Sequence, residues 1–322
     1  MTYAFFPGCS LAHTASAYAD SIRLVAERLG LDLREIDDWN CCGATAYFAS
    51  DLLAAHALVA RNLALVDGDL DQVVSPCSLC YVNLRRTQQL LDAGETLGNQ
   101  VQDALAAGGL GYRPGRLSVR HLLDVVVNDT GLDRIVSEVV RPLYGLRVAP
   151  YYGCLTVRPG TGFDDPEQPA SLDQLLQGLG AEVVDFPLKA DCCGGHMSVV
   201  SAEVADSLLR RLLQNATDQG ADLIVTACPM CQLNLDAYQH RVNRHFGTDF
   251  RMPVIFFTQA IGLALGLSAE ALGIGKEIVP ASSVLEDRWS AEPSGPERAA
   301  RAHHRPRGTR LPTPGAEGVS DG

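Results

Sequence analysis

The sequence lacks an excess of basic residues. Its 322 residues include 26 Lys and Arg against 38 Asp and Glu, which gives a formal net charge of −12. Phosphate backbones are bound by clustered Lys and Arg, so this balance argues against a nucleic-acid partner. Docking onto a basic protein surface stays open.

Long apolar segments are lacking as well. Residues 1–9 have neither the basic flank nor the apolar centre of a signal peptide. The most apolar later run, residues 254–267, has 14 residues, fewer than the roughly 20 that span a bilayer. We therefore expect a cytoplasmic protein without a transmembrane segment. In a reducing cytoplasm, cysteines are more often metal ligands or redox groups than structural disulfides.

Cysteine is abundant by contrast, and the ten cysteines form two sets of five in the same order. Each set has a single cysteine, then an adjacent pair, then a Cys-x-x-Cys. In both sets 34 residues separate the pair from the Cys-x-x-Cys. The first set is Cys9, Cys41, Cys42, Cys77 and Cys80, and the second set is Cys154, Cys192, Cys193, Cys228 and Cys231.

Each cysteine group follows a predicted strand. The first half reads as strands at 3–6, 31–36 and 72–75 with helices between them, and this order is repeated from residue 148. Alternating strands and helices predict parallel α/β units, in which the residues after the strands meet at one edge of the sheet. A helix predicted at 119–128 closes the first half.

The repetition predicts an α/β fold of two pseudo-symmetric halves that arose by internal duplication. The first cysteine-rich domain spans residues 1–130 and the second spans 131–283. Residues 284–322 hold few large apolar groups and cannot offset the entropy cost of ordering, so we expect a disordered tail there.

Several kinds of site use cysteines at these spacings. Structural zinc takes four tetrahedral ligands, whereas each set supplies five thiols. Disulfides between adjacent cysteines are rare, and a thioredoxin-like site needs only one Cys-x-x-Cys. An ordinary [4Fe-4S] cluster also takes four cysteines, so five indicate a bridging thiolate or a noncubane cluster. Glycines beside the adjacent pairs, at Gly43, Gly194 and Gly195, would let the backbone approach the sulfurs and donate N–H groups.

Both sets resemble the CCG cysteine-rich domains found in the B subunit of heterodisulfide reductase and in its relatives. The resemblance spans about residues 1–275. It implies that each set holds one noncubane [4Fe-4S] cluster through its five cysteines, and that a disulfide substrate is cleaved between the two clusters. It also implies electron supply from a ferredoxin-like C subunit and a flavoprotein A subunit. The chain would thus be the catalytic iron–sulfur subunit of an oxidoreductase acting on sulfur groups.

Two positions depart from the methanogen members of this family. Leu155 follows Cys154 where those members often have His, and Gly43 replaces a Pro. We therefore expect a bacterial relative acting on another disulfide, thiol or persulfide. His196, directly after Gly195, is the best-placed candidate for a proton donor, and Lys189 is the next.

Two other hypotheses remain at this point. The chain could relay electrons in, or anchor, a respiratory dehydrogenase such as succinate dehydrogenase, without a substrate of its own. It could also be a duplicated zinc-binding scaffold.

Overall fold

The computed structural model describes residues 1–44, 46–158 and 163–289. Its strands are β1 Thr2–Phe5, β2 Asp32–Glu35, β3 Gln72–Ser75, β4 Ser118–His121, β5 Arg147–Tyr151, β6 Glu182–Val183, β7 Leu223–Thr226 and β8 Val254–Phe256. Its helices in the first half are α1 Cys9–Ala12, α2 Ser16–Leu29, α3 Ala46–Ser50, α4 Leu52–Ala64, α5 Ser78–Ala93, α6 Thr96–Ala107 and α7 Leu122–Asp124. After a π-helical stretch at Val125–Gly131 come α8 Leu132–Ser137, α9 Cys154–Val157, α10 Ser171–Gly178, α11 Ala202–Asp218, α12 Pro229–Ala237, α13 Gln239–Phe246, α14 Phe257–Ala264 and α15 Ser282–Arg288. A short 3₁₀ turn at Met197–Val199 precedes α11.

Within these residues the strands form two four-stranded parallel sheets of the same topology. The strand order is β2-β1-β3-β4 in one sheet and β6-β5-β7-β8 in the other. The pairing register is also equivalent, because Ser75 pairs with His121 and Thr226 pairs with Phe256. Every cysteine follows the carboxyl end of a strand, so each set gathers at one sheet edge. The predicted α/β fold of two repeated halves is confirmed.

Local sequence explains where the helices on either side of the cysteines begin and end. Helix α2 buries Ile22, Val25 and Leu29 along one face and ends at Gly30, which adopts a left-handed conformation. At the start of α4, the Asp51 carboxylate accepts a hydrogen bond from the Ala54 N–H at 2.9 Å. Ser201 caps α11 in the same way. These caps fix the helices that follow each adjacent cysteine pair.

The two halves share one hydrophobic core cluster, and each half also has a cluster of its own. Helix α2 of the first half packs against α14 of the second. The hydroxyls of Ser21 and Thr258 are 2.6 Å apart across this interface, and Arg28 Nη2 donates to the Leu265 carbonyl at 3.1 Å. The largest core cluster combines residues of both halves, among them Tyr18 and Phe257. This shared core brings the two cysteine-bearing edges together.

The prediction of a helix at 119–128 is wrong for its first three residues. Residues 118–121 form β4, which pairs in parallel with β3, and Val119 is completely buried in the sheet. Helix α7 begins only at Leu122, where His121 Nδ1 accepts a hydrogen bond from the Leu123 N–H at 3.1 Å. Pairing with β3 determines the conformation of this segment. The local spacing of apolar residues does not predict that pairing. Helix α6 lies in the segment before β4.

Disorder was expected from residue 284 onward, and the structure corrects the first part of that expectation. Residues 284–288 belong to α15, whose Leu285 is buried in the shared core. Trp289 follows, with its indole N–H 2.9 Å from the Pro142 carbonyl and the Arg141 guanidinium 3.5 Å from its ring. A few apolar contacts are enough to order this short segment. The rest of the predicted tail, 290–322, lies outside the described residues.

Replacing the one buried side chain of α15 tests whether that helix belongs to the folded core. We expect Leu285→Ala to lower the free energy of unfolding by about 2–3 kcal/mol, because it removes a buried leucine from the core. The neighbouring exposed substitution Glu286→Ala should change it by less than about 0.5 kcal/mol. Denaturant unfolding under anaerobic conditions measures both, and equal effects would contradict the docking of α15.

Candidate metal centre

Each cysteine set is presented by three short segments that follow neighbouring strands. Cys9 and Cys154 begin the one-turn helices α1 and α9, directly after β1 and β5. The adjacent pairs lie in loops after β2 and β6. Cys77 and Cys228 are the N-caps of α5 and α12, so the last cysteine of each Cys-x-x-Cys lies in the first helical turn. Of Cys77, Cys154 and Cys228, only the last has a lowered pKa, because the Cys231 and Cys77 thiols donate to it.

The thiols touch one another in an extended row. Sγ–Sγ distances are 3.8 Å for Cys9 and Cys41 and 3.3 Å for Cys42 and Cys80. In the second set Cys193 and Cys231 are 3.5 Å apart. Close approaches between neighbouring thiols connect eight of the ten, in the order Cys9, Cys41, Cys42, Cys80, Cys77, Cys228, Cys231 and Cys193. Cys154 and Cys192 are a further neighbouring pair.

The two sets meet at Cys77 and Cys228. These two side chains, both almost inaccessible to solvent, lie next to each other across the junction of the halves. Ser78 crosses the same junction, because its hydroxyl is 2.6 Å from that of Thr156 and also contacts Cys228. The ten cysteines therefore belong to one composite site.

A small cavity lies at the second set. All five of its cysteines line this cavity, together with Gly153, Gly195 and His196. Ser78 and Leu79 of the first half form part of the wall. A small space lined by five cysteines and by glycines suits a sulfur-ligated metal group.

Two glycines make room for the sulfurs. Gly8 has φ +75° and Gly153 has φ +70°, a conformation that favours glycine. A Cβ on Gly8 would be 2.9 Å from Cys80 Sγ, and one on Gly153 would be 3.0 Å from Cys231 Sγ. Both positions directly precede the first cysteine of their set. Neither was singled out from the sequence, although the shared Gly-Cys pair of the two repeats was visible there.

Hydrogen bonds lower the pKa of selected thiols. Hydrogen bonds from Cys41 and then Cys80 lower the pKa of Cys42 to about 3, with Asn83 also contributing. The hydrogen bond from Cys154 lowers the pKa of Cys192 to about 6, helped by the Gly194 N–H. Donation to a thiolate favours its charged form. The adjacent pairs therefore each contain a thiol disposed to lose its proton and bind metal.

Equivalent asparagines hold the two loops of adjacent cysteines. Asn83 Nδ2 donates to the carbonyls of Cys42 and Ala44 at 3.2 and 2.9 Å, and Asn234 Nδ2 donates to the carbonyl of Cys193 at 2.5 Å. Both asparagines are buried on the helices that carry the Cys-x-x-Cys. They connect the last two cysteine groups of each set.

The glycines predicted to approach the sulfurs lie beside them. Gly194 N–H donates to Cys192 Sγ at 3.3 Å, and Gly43 N–H makes the equivalent bond to Cys41. A Cβ on Gly195 would be 3.5 Å from Cys193 Sγ and would collide with the Met230 side chain. The glycines thus lie where a group bound by the thiols would meet the backbone.

The two candidate proton donors differ in their surroundings. His196 lines the cavity of the second set and is close enough to Cys192 to favour its thiolate. Lys189 instead donates to the Asp173 carboxylate at 2.9 Å, beside the ring of Tyr152. Tyr152 Oη also donates to Asp173, at 2.5 Å. Of the two, His196 is the one that faces the cysteines.

Among the described residues, no three thiols, imidazoles or carboxylates surround a single point as ligands of one ion would. The thiols are arranged in a row, with contacts mainly between successive neighbours. A tetrahedral zinc site needs four ligands around one ion, whereas a multi-iron cluster is bound by sulfurs spread around several metal atoms.

Comparison with known proteins agrees with this geometry. The family model named CCG, described as a cysteine-rich domain, matches residues 3–85 and 148–236. These two matches include every cysteine of the two sets. The chain belongs to the CCG cysteine-rich family. Its relatives include B subunits of heterodisulfide reductases, as the motifs indicate.

Two relatives illustrate the range of this CCG family. The chain is 36% identical to the 8-methylmenaquinol:fumarate reductase membrane anchor subunit of Wolinella succinogenes, over 88% of this chain and 98% of that one. It is 32% identical to the B subunit of the ferredoxin/F(420)H(2)-dependent CoB-CoM heterodisulfide reductase of Methanosarcina acetivorans, over 85% of this chain and 92% of that one. These relatives indicate an iron–sulfur oxidoreductase subunit of a multi-subunit complex. In the part of the chain that the structure describes, no helix is both long and apolar enough to cross a membrane.

A solved structure supports the fold. A hypothetical protein from Helicobacter pylori superposes with a TM-score of 0.69 at 15% identity. The match covers 87% of this CCG chain, which spans about half, 52%, of that structure.

Substituting Gly153 tests whether the glycine before the first cysteine of a set is needed for metal binding. We expect Gly153→Ala to lose about half of the bound iron, because a Cβ would press on Cys231 Sγ in the second set alone. The matched control is Gly247→Ala, which imposes the same backbone strain at φ +67° with no atom within 4 Å of the added Cβ. Iron analysis of anaerobically purified protein measures both. Equal iron loss in the two variants would show that strain, and not the sulfur contact, is responsible.

Proposed function

We propose that this chain is the catalytic iron–sulfur subunit of a heterodisulfide-reductase-like complex. In this proposal each cysteine set binds one noncubane [4Fe-4S] cluster through all five thiols. The observation that carries it is the junction at Cys77 and Cys228, which joins two complete five-cysteine sets into one site. Two isolated metal sites with structural roles would have no need of that contact.

The reaction is the two-electron interconversion of a disulfide and two thiols. Reduction of R–S–S–R′ breaks the S–S bond, consumes two electrons and two protons, and releases R–SH and R′–SH. When bound, the two clusters would supply the electrons one at a time and accept substrate sulfur. Electrons would come from a ferredoxin-like C subunit and a flavoprotein A subunit, the partners implied by the resemblance to heterodisulfide reductase. Run in reverse, the same site would form a disulfide and return the electrons.

The residues of the chain would orient the substrate and move protons. His196 lies at the cavity of the second set and is our proposed proton donor. Lys189 is the second candidate, and its ion pair with Asp173 would have to open before it could reach substrate. Leu155 lines the cavity too, where methanogen members often have His, so the substrate is proposed to differ from theirs. We place the complex in the cytoplasm.

A second candidate function is supported by one relative. The similarity to a fumarate reductase membrane anchor subunit favours an electron-relay or anchoring role in a respiratory dehydrogenase. In that role the same clusters would pass electrons without binding a disulfide.

Titration with small disulfides separates the two functions. The anaerobically purified chain, chemically reduced, is mixed with bis(2-hydroxyethyl) disulfide or cystine while its electron paramagnetic resonance is followed. We expect disulfide or product thiol to change the cluster signals, because the substrate would lie between the two cysteine sets that hold the clusters. If no disulfide or thiol changes any signal, the electron-relay function is favoured and the catalytic proposal fails.

Matched variants show which cysteine set and which proton donor the response to disulfide depends on. Cys42→Ser and Cys193→Ser alter equivalent positions, so each should lose or convert one cluster and retain the response of the other. His196→Gln should keep its iron and slow thiol release by about 100-fold if it donates a proton. His240→Gln, an exposed histidine on α13, is the control and should leave the rate unchanged.

A further inference from the structure

Between the two cysteine sets, two buried donors converge on two backbone carbonyls. Tyr18 Oη is 3.3 Å from the carbonyl oxygen of Pro76 and 3.3 Å from that of Ala227. The His121 imidazole lies beside the same two carbonyls, and its Nε2 is 3.5 Å from the Ser78 hydroxyl. We name these four groups the axial clamp: the Tyr18 hydroxyl, the His121 imidazole and the carbonyls of Pro76 and Ala227.

The proton positions in the axial clamp follow from its neighbours. His121 Nδ1 accepts from the Leu123 N–H at 3.1 Å, so the imidazole proton is on Nε2. Burial keeps the ring neutral by lowering the pKa of His121 to about 4. Tyr18 is fully buried and its phenol stays protonated, because burial raises its pKa well above the usual value. The clamp thus contains two protons and two acceptor carbonyls.

The acceptors of the clamp are the residues directly before the junction cysteines. Pro76 precedes Cys77 and Ala227 precedes Cys228, the two thiols through which the sets touch. The Tyr18 hydroxyl therefore connects the two turns that deliver these thiols.

The two halves do not each contain such a clamp, because the equivalent positions carry different residues. Tyr18 and Phe163 both lie nine residues after the first cysteine of their half, and His121 and Phe256 occupy equivalent strand positions. The Tyr18 ring stacks on Phe256 at 3.9 Å, and the His121 ring stacks on Phe163 at 6.4 Å. The first half thus supplies both donors and one acceptor carbonyl, whereas the second half supplies the Ala227 carbonyl and aromatic partners without a donor group. Phe163, the counterpart of Tyr18, therefore has no hydroxyl that could replace that of Tyr18.

We propose that Tyr18 is a positioning residue shared by both cysteine sets, and that the axial clamp fixes the contact through which the two clusters influence each other. This inference rests on the proposed function. A carbonyl without its donor leaves more negative charge beside a ligand thiolate, and an added electron is then less favourable. Because one hydroxyl serves both carbonyls, one substitution reaches both clusters.

The substitution that tests this is Tyr18→Phe, which keeps the ring stacked on Phe256 and removes only the hydroxyl. Redox titration of the anaerobically purified protein is followed by electron paramagnetic resonance, with iron analysed on the same samples. We expect wild-type iron content, a shift of both reduction potentials to lower values, and a weaker magnetic interaction between the clusters.

Two tyrosine-to-phenylalanine controls define what the shift means. Tyr3→Phe removes a hydroxyl that donates to Asp129 at 2.7 Å, and it should move neither potential. Tyr151→Phe removes a hydroxyl that donates to the Asp191 carbonyl at 2.7 Å, next to Cys192, and it should move only the second cluster. If Tyr18→Phe with full iron moves neither potential, or only one, the inference is overturned.

A second variant covers the case in which Tyr18→Phe does not fold or loses iron. His121→Phe copies the residue found at the equivalent position of the second half and removes the other donor of the clamp. Shifts of both potentials in this variant support the clamp, and unchanged potentials refute it. The proposed function fails separately, because wild-type protein without iron would contradict it before any variant is compared.

Discussion

The contact between Cys77 and Cys228 constrains the arrangement of everything around it. Cys77 and Cys228 are the N-cap residues of helices α5 and α12, so the N-termini of these two helices meet at the junction of the halves. Strands β3 and β7 lead into those turns, which sets the relative position of the two sheets. The other cysteines then lie on either side of the junction, because each set is gathered at the carboxyl edge of its own sheet.

The junction is buried because residues of each half pack against the other half. Helix α2 of the first half packs on α14 of the second, and Ser78 of the first half reaches Thr156 and Cys228 of the second. The second half alone does not enclose its cysteines, since Ser78 and Leu79 of the first half help to form the wall around them. The duplication therefore does more than repeat a metal site. It brings the inner cysteines of the two sets together and shields them from water, and burial of this kind is one of the factors that tune an iron–sulfur potential.

Much of this could be predicted from the sequence, because the information was local or repeated. The helix predicted between the first two strands is present as α2, since its apolar spacing and Gly30 are local signals. The cysteine groups lie after strands as predicted. Residues 118–121 were misassigned because their strand is determined by pairing with β3, a contact distant in sequence.

The junction itself could not be predicted, because the sequence does not report how two repeats face each other. Nothing in the sequence distinguishes Tyr18 and His121 from ordinary core residues. They lie beside Pro76 and Ala227 only because the two halves pack together. Gly8 and Gly153 were visible as repeated glycines, but their contact with the last cysteine of each set depends on the fold. The cysteine count was the strongest local signal, since a fifth thiol exceeds the needs of zinc or a simple cube.

The central claim is that the ten thiols bind two adjacent iron–sulfur clusters. Iron and acid-labile sulfide analysis, combined with Mössbauer spectroscopy of anaerobically purified protein, tests it most directly. The account predicts brown protein with about eight irons per chain, four for each set, in cluster environments that differ from a simple cube. Colourless protein carrying about one or two zinc ions per chain would contradict it.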